Sequence, residues 1–253
     1  MGMRVISWNV CGLRSAYEKG FSEELKRIDA DLICLQEIRA SSVALPLDLA
    51  ALGYQAYPNP SRRRGFHGTA VMARLRPLRV SRSLGHPRFD SEGRFMRLDF
   101  PDFVLINVYM PHGGRDKRDM GYKLEAYEAL LEYLSGLSSA NIILAGDFNV
   151  AREPIDLARP RENVNNTMFT PEEREKLARL IELGFVDSFR EFCRDGGHYT
   201  WWPWSYRARE RNLGWRIDYI FVSRGLKDRL RDAFILPEVR GSDHCPVGID
   251  IEI

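Results

Sequence analysis

Glu37 closes the apolar run of LICLQEIR, Asp147 and Asn149 follow IILAG in GDFNV, and Asp243 and His244 stand together in GSDHCP. Asp218 lies inside the apolar stretch GWRIDYI, while Asn9 and Tyr109 follow VISW and VLINV. Taken singly, each has a plainer reading. A strand-end acid faces water, D-x-N is common, and an adjacent Asp-His pair does not share one face. Asp147 and Asn149, two apart on an extended segment, are expected to point the same way. Asp218 needs a partner inside its apolar strand. His244 is the natural one, because a carboxylate orients imidazole and stabilises its protonated form. Together these are hard oxygen donors with few histidines, which favour Mg²⁺ or Mn²⁺ over Zn²⁺. Metal-assisted phosphoester hydrolysis is the reaction class that fits. G-x-x-x-x-G-K, G-x-S-x-G and H-E-x-x-H are absent from the sequence.

Apolar strands must position these groups. The pattern predicts strands at MRVISW, DLICLQ, GTAVMA, RFMRLDF, FVLINVYM, NIILAG, RIDYIFV and PVGIDI. Helices are predicted at KGFSEELKRI, RDMGYKLEAYEALLEYL and PEEREKLARLIEL. In the second helix, Leu124, Tyr127, Leu130, Leu131 and Leu134 share one face. The third opens on Thr170-Pro171 with Glu173 three residues after the threonine, a capping box with proline at the first helical position. Strand, helix, strand occurs once from VISWN to LICLQE and again from VLINVY to IILAGD. Asn9, Glu37, Tyr109 and Asp147 end the four strands of this echo. It implies an α/β layered fold, read as two facing sheets with a site at one end, although the periodicity alone is equally compatible with one sheet.

The chain of 253 residues has 44% hydrophobic and 28% charged residues, as ordinary globular proteins do. It shows no linker or composition break, so one domain over residues 1–253 is expected. The net charge of +2 gives no bulk argument for nucleic acid. The argument rests on local patches: Arg62 to Arg64, the group Arg115, Lys117 and Arg118, and above all HYTWWPWSYRARERNLGWR. That last segment interleaves Trp201, Trp202, Trp204, Tyr206 and Trp215 with Arg207, Arg209, Arg211 and Arg216. Aromatic faces and guanidinium groups suit a phosphate backbone and an unstacked nucleotide. The competing reading is a core aromatic cluster beside a solvated basic loop. Cys11, Cys34, Cys193 and Cys245 lack C-x-x-C spacing and read as reduced thiols of an intracellular protein. The N-terminus carries no signal pattern and no window reaches a membrane span, so a cytoplasmic location is expected.

The stretches SWNVCGLR, LICLQEIR, GFHGTAV, SEGRF, NVYMPHGG, GDFNVAREPIDLARP, FTPEER, VDSFR, YTWW, ERNLGWRIDYIFVS and GSDHCPVG occur in order from residue 5 to 250. On them the chain resembles the exonuclease III class of apurinic/apyrimidinic endonucleases, within the DNase I-like phosphodiesterases. The resemblance implies a four-layered α/β sandwich, two packed mixed sheets flanked by helices. It implies a Mg²⁺-dependent enzyme (Mn²⁺ as substitute) that cuts duplex DNA 5′ to an abasic site, leaves a 3′-hydroxyl and has 3′-to-5′ exonuclease activity. Glu37 would bind the cation with Asn9 and Asp243 near it, and Asp147, Asn149 and His244 would complete the metal-side set. Asp147 would orient or deprotonate water, Asn149 would hold phosphate or water, and His244 with Asp218 would contact the scissile phosphate. Tyr109 would act as phenol or phenolate. Arg14, Arg39, Arg115, Asn163 and Asn166 match DNA-contacting positions, and Trp201 and Trp215 match walls of a pocket for an extrahelical baseless sugar. A monomer without obligate protein partner or membrane is implied, near the nucleoid in a prokaryote. Cys11 stands where relatives usually have Asp or Asn, His112 where many have Asn, and PWSYRARER is unusually rich in Trp and Arg. That richness motivates an alternative, cleavage at a damaged or deaminated base such as uracil. A catalytically dead DNA-binding module and a small-molecule phosphodiesterase are weaker alternatives.

Overall fold

The computed structural model describes residues 2–41, 47–137 and 141–253. Twelve strands run in chain order among them: β1 (Gly2–Asn9), β2 (Leu32–Gln36), β3 (Gln55–Asn59), β4 (Thr69–Ala73), β5 (Arg79–Ser81), β6 (Phe95–Asp99), β7 (Val104–Tyr109), β8 (Ile142–Asp147), β9 (Phe185–Asp187), β10 (Asp218–Ser223), β11 (Leu230–Ile235) and β12 (Val247–Glu252). They form two mixed six-stranded sheets, ordered β11-β12-β1-β2-β4-β3 and β5-β6-β7-β8-β10-β9. The helices are α1 (Leu13–Glu18), α2 (Phe21–Ile28), α3 (Leu47–Ala51), α4 (Pro87–Ser91), α5 (Met120–Ser135), α6 (Pro171–Glu182) and α7 (Ser188–Phe192).

Strand alternation builds the layers. Val5, Leu32, Cys34 and Val71 of the first sheet pack against Leu105, Ile143, Ala145 and Val222 of the second. Their neighbours Ile6, Trp8, Ile33 and Leu35 face outward onto Leu13, Phe21, Leu25 and Leu49 of the first three helices. Ile106, Val108, Leu144 and Phe221 face outward onto Tyr127, Leu130, Leu177 and Leu180 of α5 and α6. Both faces of the central strands are covered, which is why they read as continuous apolar runs. The result is a four-layered α/β sandwich of the DNase I-like type. Among the described residues no helix is long and apolar enough to cross a membrane.

The register aligns the polar strand ends. β1 and β2 run parallel with Asn9 beside Gln36, so Glu37 is the next residue out. β7 and β8 run parallel with Tyr109 beside Asp147, and antiparallel β10 sets Asp218 against Asp147. Gly146 allows the close pairing just before that row. Its φ is +154°, and a Cβ there would meet the Val108 carbonyl oxygen at 2.0 Å.

Two local expectations need correction. The buried face of α5 comprises Tyr122, Lys123, Ala126, Tyr127, Leu130, Leu131 and Leu134, while Leu124 is only half-buried. Lys123 is drawn in because it ion-pairs with Glu173 of α6. Asn149 is not on an extended segment: β8 ends at Asp147, and Asn149 has φ +51°, in the left-handed region that Asn tolerates. The Thr170 capping box is present, with the Thr170 hydroxyl accepting from the Glu173 amide and the Glu173 carboxylate from the Thr170 amide.

Candidate active site

Asp147 lies at the centre of the aligned rim. Its Oδ2 accepts from Asn9 Nδ2 at 2.9 Å and from Asn149 Nδ2 at 3.3 Å, and its Oδ1 accepts from the Asn149 backbone amide at 2.8 Å. The left-handed turn at Asn149 folds its side chain back onto Asp147, with Nδ2 3.3 Å from Oδ2. Burial, and next the neighbouring Asp218 carboxylate, push the Asp147 carboxyl up to about 7.

His244 and Asp218 form the second part. His244 Nδ1 lies 2.8 Å from Asp218 Oδ2, and His244 Nε2 lies 4.0 Å from Asp147 Oδ2. Burial works against the imidazolium, but Asp218 outweighs it and raises the His244 pKa to about 10. The imidazole is therefore a cation at neutral pH, with Nε2–H free to face an anion. The other Asp218 oxygen, Oδ1, is buried and has no hydrogen-bond partner. A carboxylate oxygen kept in that state costs stability, as functional groups often do.

Glu37 forms the third part, at the end of the other sheet. Its Oε2 accepts from Tyr109 Oη at 3.0 Å and Asn9 Nδ2 at 3.3 Å. Asn9 therefore bridges Glu37 and Asp147 with its amide nitrogen, while its oxygen accepts from the Cys11 amide at 3.0 Å. Arg39 ion-pairs with the other Glu37 oxygen. Burial, and then Glu37, hold the Tyr109 hydroxyl well above the ordinary phenol range, so Tyr109 is a phenol donor rather than a phenolate. Cys11 sits beside this acid. Burial, then Asp243 and Glu37, push its thiol up to about 12, so it remains protonated.

Asp243 Oδ2 accepts from Trp201 Nε1 at 3.0 Å. Trp201 is bridged to both Trp215 and His244, which sets the two indoles at the edge of the acid cluster over Leu157, Met168 and Phe169. Asn163 and Asn166 are joined at 2.8 Å on the loop before α6. Arg115 is exposed, and Arg14 is exposed on α1 with Glu18 as its partner, so neither belongs to the acid cluster.

The aromatic-basic segment divides between both readings. Trp202 and Tyr199 are buried. Arg216 is also buried, bound to Asp156 and Asp187, and is not a surface cation. Arg209 donates to the carbonyls of Ser242, Pro237 and Val239, holding the loop that carries Asp243. Trp204 and Tyr206 remain at the surface, 71% and 84% exposed. The sequence reading missed Lys123 with Glu173, Arg94, which donates to the Tyr109 carbonyl at 2.9 Å, and Asp156 and Asp187 as the partners of Arg216. The signal for the first was a charged residue within the apolar face of α5.

The residues suit a hard divalent cation. Asp147, Asp218 and His244 bring one ligand atom each within 4.8 Å of one another. Glu37 and Asp243 add carboxylate oxygens at the same rim, the hard donors that such a cation takes.

Two buried acids and an imidazole thus meet at the rim of the paired sheets. The Endonuclease/Exonuclease/phosphatase family model matches residues 6–244; the chain belongs to that family and is a hydrolytic nuclease. It is 44% identical to a Bacillus subtilis exodeoxyribonuclease over 99% of this chain and 100% of that one. It is 38% identical to the DNA repair nuclease APEX1 of Danio rerio, over 99% of this chain and 83% of that one. The structure superposes on an AP endonuclease from Archaeoglobus fulgidus with a TM-score of 0.90 at 29% identity, covering 99% of this chain and 100% of that one.

Proposed function

We propose that this nuclease repairs DNA by hydrolysing the phosphodiester 5′ to an abasic site in a duplex, leaving a 3′-hydroxyl, with 3′-to-5′ exonuclease activity alongside. The observation that carries this reading is a buried carboxylate, Asp147, held 4.0 Å from an imidazolium, His244. That sets a candidate base and an anion-stabilising cation next to one another, where both can reach one reacting group. Asp147 accepts the proton of the attacking water as its oxygen bonds to phosphorus. The bond from phosphorus to the 3′ oxygen breaks, and that oxygen leaves as the 3′-hydroxyl, taking its proton from solvent water. His244, kept charged by Asp218, and the phenol of Tyr109 donate to the phosphate oxygens as negative charge grows. Asn9 and Asn149 keep Asp147 in place. Glu37 and Asp243, with Asn9 nearby, would hold Mg²⁺ or Mn²⁺, which supplies charge compensation at the phosphate and the leaving oxygen.

Arg39, Arg115, Asn163 and Asn166 would meet the DNA backbone, with Arg14 at its margin. Trp201 and Trp215 would face the baseless sugar, where extrusion costs least. The names of the relatives support the substrate class, and no protein partner is required of a monomer acting on chromosomal DNA in the cytoplasm. A second reading, cleavage at a damaged or deaminated base, draws support from exposed Trp204 and Tyr206. The test compares duplexes bearing one abasic analogue, one uracil or no lesion, with Mg²⁺ and with EDTA. Metal-dependent cutting 5′ to the abasic analogue is expected. Equal rates on all three duplexes would remove lesion specificity, and preference for uracil would favour the second reading.

A further inference from the structure

The Lys123 side chain ties together three of the segments surrounding Asp147. It is completely buried with Glu173, each side chain being 0% exposed. Its ammonium has three protons and meets three acceptors: the carbonyl of Asn149 at 2.7 Å, the carbonyl of His112 at 3.1 Å and Glu173 Oε1 at 2.5 Å. Each acceptor belongs to a different site-bearing segment. His112 is in the turn after β7, which carries Tyr109 at its start and Arg115 beyond it. Asn149 is in the turn after β8. Glu173 opens α6 and accepts from the amides of Met168 and Thr170 at 3.0 and 2.9 Å, fixing the end of the loop that holds Asn163 and Asn166.

The same turns are joined to one another around this centre. Asn149 Nδ2 donates to the Met110 carbonyl at 2.9 Å, and the Ala151 amide to the Met168 carbonyl at 2.8 Å. Thr167 Oγ1 donates to the Gly114 carbonyl at 2.8 Å. Asn149 pays a backbone strain at φ +51°, and a left-handed residue persists where its surroundings over-determine it. The Lys123 ammonium on its carbonyl is one of those determinants, opposite the Asp147 carboxylate on its amide. A fully buried ion pair is a weak source of stability, because desolvation offsets most of the attraction. An apolar pair would fill the space between α5 and α6 at least as well, but it would leave two carbonyls and two amides without their hub.

We propose that Lys123, with Glu173, is a positioning residue of the nuclease. It holds Asn149 in its left-handed turn and thereby sets the Asn149 amide and the Asp147 carboxylate in register for reaction. The proposal rests on the assignment of Asp147 and Asn149 as site residues. Its effect is expected in kcat rather than in KM, since the group displaced sits at the reacting phosphate and not along the DNA track.

The decisive variant is the double substitution Lys123→Met with Glu173→Gln, which removes both buried charges together and keeps side-chain length. Cleavage of an abasic-analogue duplex is measured beside amide hydrogen exchange at Asn149 and thermal unfolding. The expected result is a folded protein whose kcat is down about ten- to a hundredfold, as small misplacements at a reacting centre produce. KM should stay within about threefold, and exchange at Asn149 should accelerate. Lys123→Arg, which retains charge and donors, should recover part of kcat. If the double variant fails to fold, Glu173→Gln alone decides, with an expected fall in kcat of about three- to tenfold and faster Asn149 exchange. A folded variant with wild-type kcat and wild-type Asn149 protection overturns the proposal. If the wild-type protein leaves every DNA substrate uncut, the proposed function fails. Exchange at Asn149 still decides whether Lys123 holds the turn.

Discussion

Two clusters of buried acids, Asp156 with Asp187 and Asp147 with Asp218, are built in opposite ways. Asp156 and Asp187 meet two arginines. Arg216 places Nε 2.8 Å from Asp156 Oδ1 and two nitrogens on Asp187 at 3.0 and 2.7 Å, and Arg190 adds a contact to Asp156 at 2.5 Å. Burial opposes the Asp156 charge, yet Arg216 and Arg190 hold that carboxyl below the usual range. Asp147 and Asp218 are just as buried but share one imidazole, and Asp218 Oδ1 has no partner at all. Burial and Asp218 push Asp147 up to about 7. Equal burial therefore separates structure from function only when pairing is counted. The arginine-paired cluster braces the segment between Trp215 and β10, and the other, with one imidazole for two carboxylates and Asp218 Oδ1 unmatched, leaves charge for a ligand to meet.

The largest effects should come from neutralising one acid in each cluster. Asp147→Asn should lower kcat by about 10²- to 10⁴-fold, the usual worth of a general base. Thermal unfolding should hold or rise slightly, because like-charge repulsion with Asp218 is relieved. Asp156→Asn should do the reverse. It strands Arg216 and Arg190 on a neutral partner and should cost about 3–5 kcal/mol of stability, while kcat per folded molecule remains near wild type. Paired unfolding and steady-state measurements check both, and equal destabilisation by the two substitutions would break the comparison.

The next effect concerns pH. With Asp218 in place, His244 keeps its proton up to about 10, so the wild-type rate should not fall on the alkaline side until then. Asp218→Asn removes the partner, and His244 should return toward about 6.5. At pH 8 only about one imidazole in thirty would then be charged, and the rate should drop in proportion. A pH–rate profile from 5 to 10 reads this directly. An unmoved alkaline limb would mean that the His244 charge plays no part.

The interior of the molecule was legible in the sequence and its borders were not. The strands expected from apolar runs are β1, β2, β4, β6, β7, β8, β10 and β12. The missed ones, β3, β5, β9 and β11, are the outer edges of the two sheets. An edge strand is half-exposed, short or interrupted, as QAYPN with its proline and LRDAFI with its bulge illustrate. At the site, residue types pointed to acids at strand ends, and register then showed which of them meet. Arg216 looked like a surface cation because it stands among aromatics. Only the fold brings in Asp187, 29 residues away, to bury and pair it. Left-handed Asn149 was equally hidden, because Asn is tolerated in that conformation without the glycine that would have announced it.

A smaller effect tests the paired cluster alone. Asp156 has a depressed carboxyl pKa in the fold, so its contribution is fully present above the unfolded value near 3.9. It is lost as pH falls through the folded value. Between pH 5 and 3 the wild-type protein should lose stability more steeply than Asp156→Asn, whose curve lacks that contribution. Urea unfolding at stepped pH measures the difference, and parallel curves would show that the arginines do not hold the Asp156 charge.

The smallest effect lies at Cys11, where the Asp147 cluster meets Glu37. A thiol held up to about 12 is neutral and gives a hard cation little to bind. Cys11→Asp would place another carboxylate beside Glu37 and Asp243. Without cation, three acids repel one another and unfolding should come at a slightly lower temperature. With cation, the added oxygen and charge should tighten Mn²⁺ binding, followed by paramagnetic resonance, by roughly three- to tenfold, since ligand charge tunes such sites. This readout is independent of turnover. Tighter binding with lower cation-free stability would extend the lesson of the two clusters, because acids not matched by protein cations are poised for a metal. Unchanged affinity would confine that lesson to Asp147 and Asp218 and leave Cys11 as packing beside Asn9.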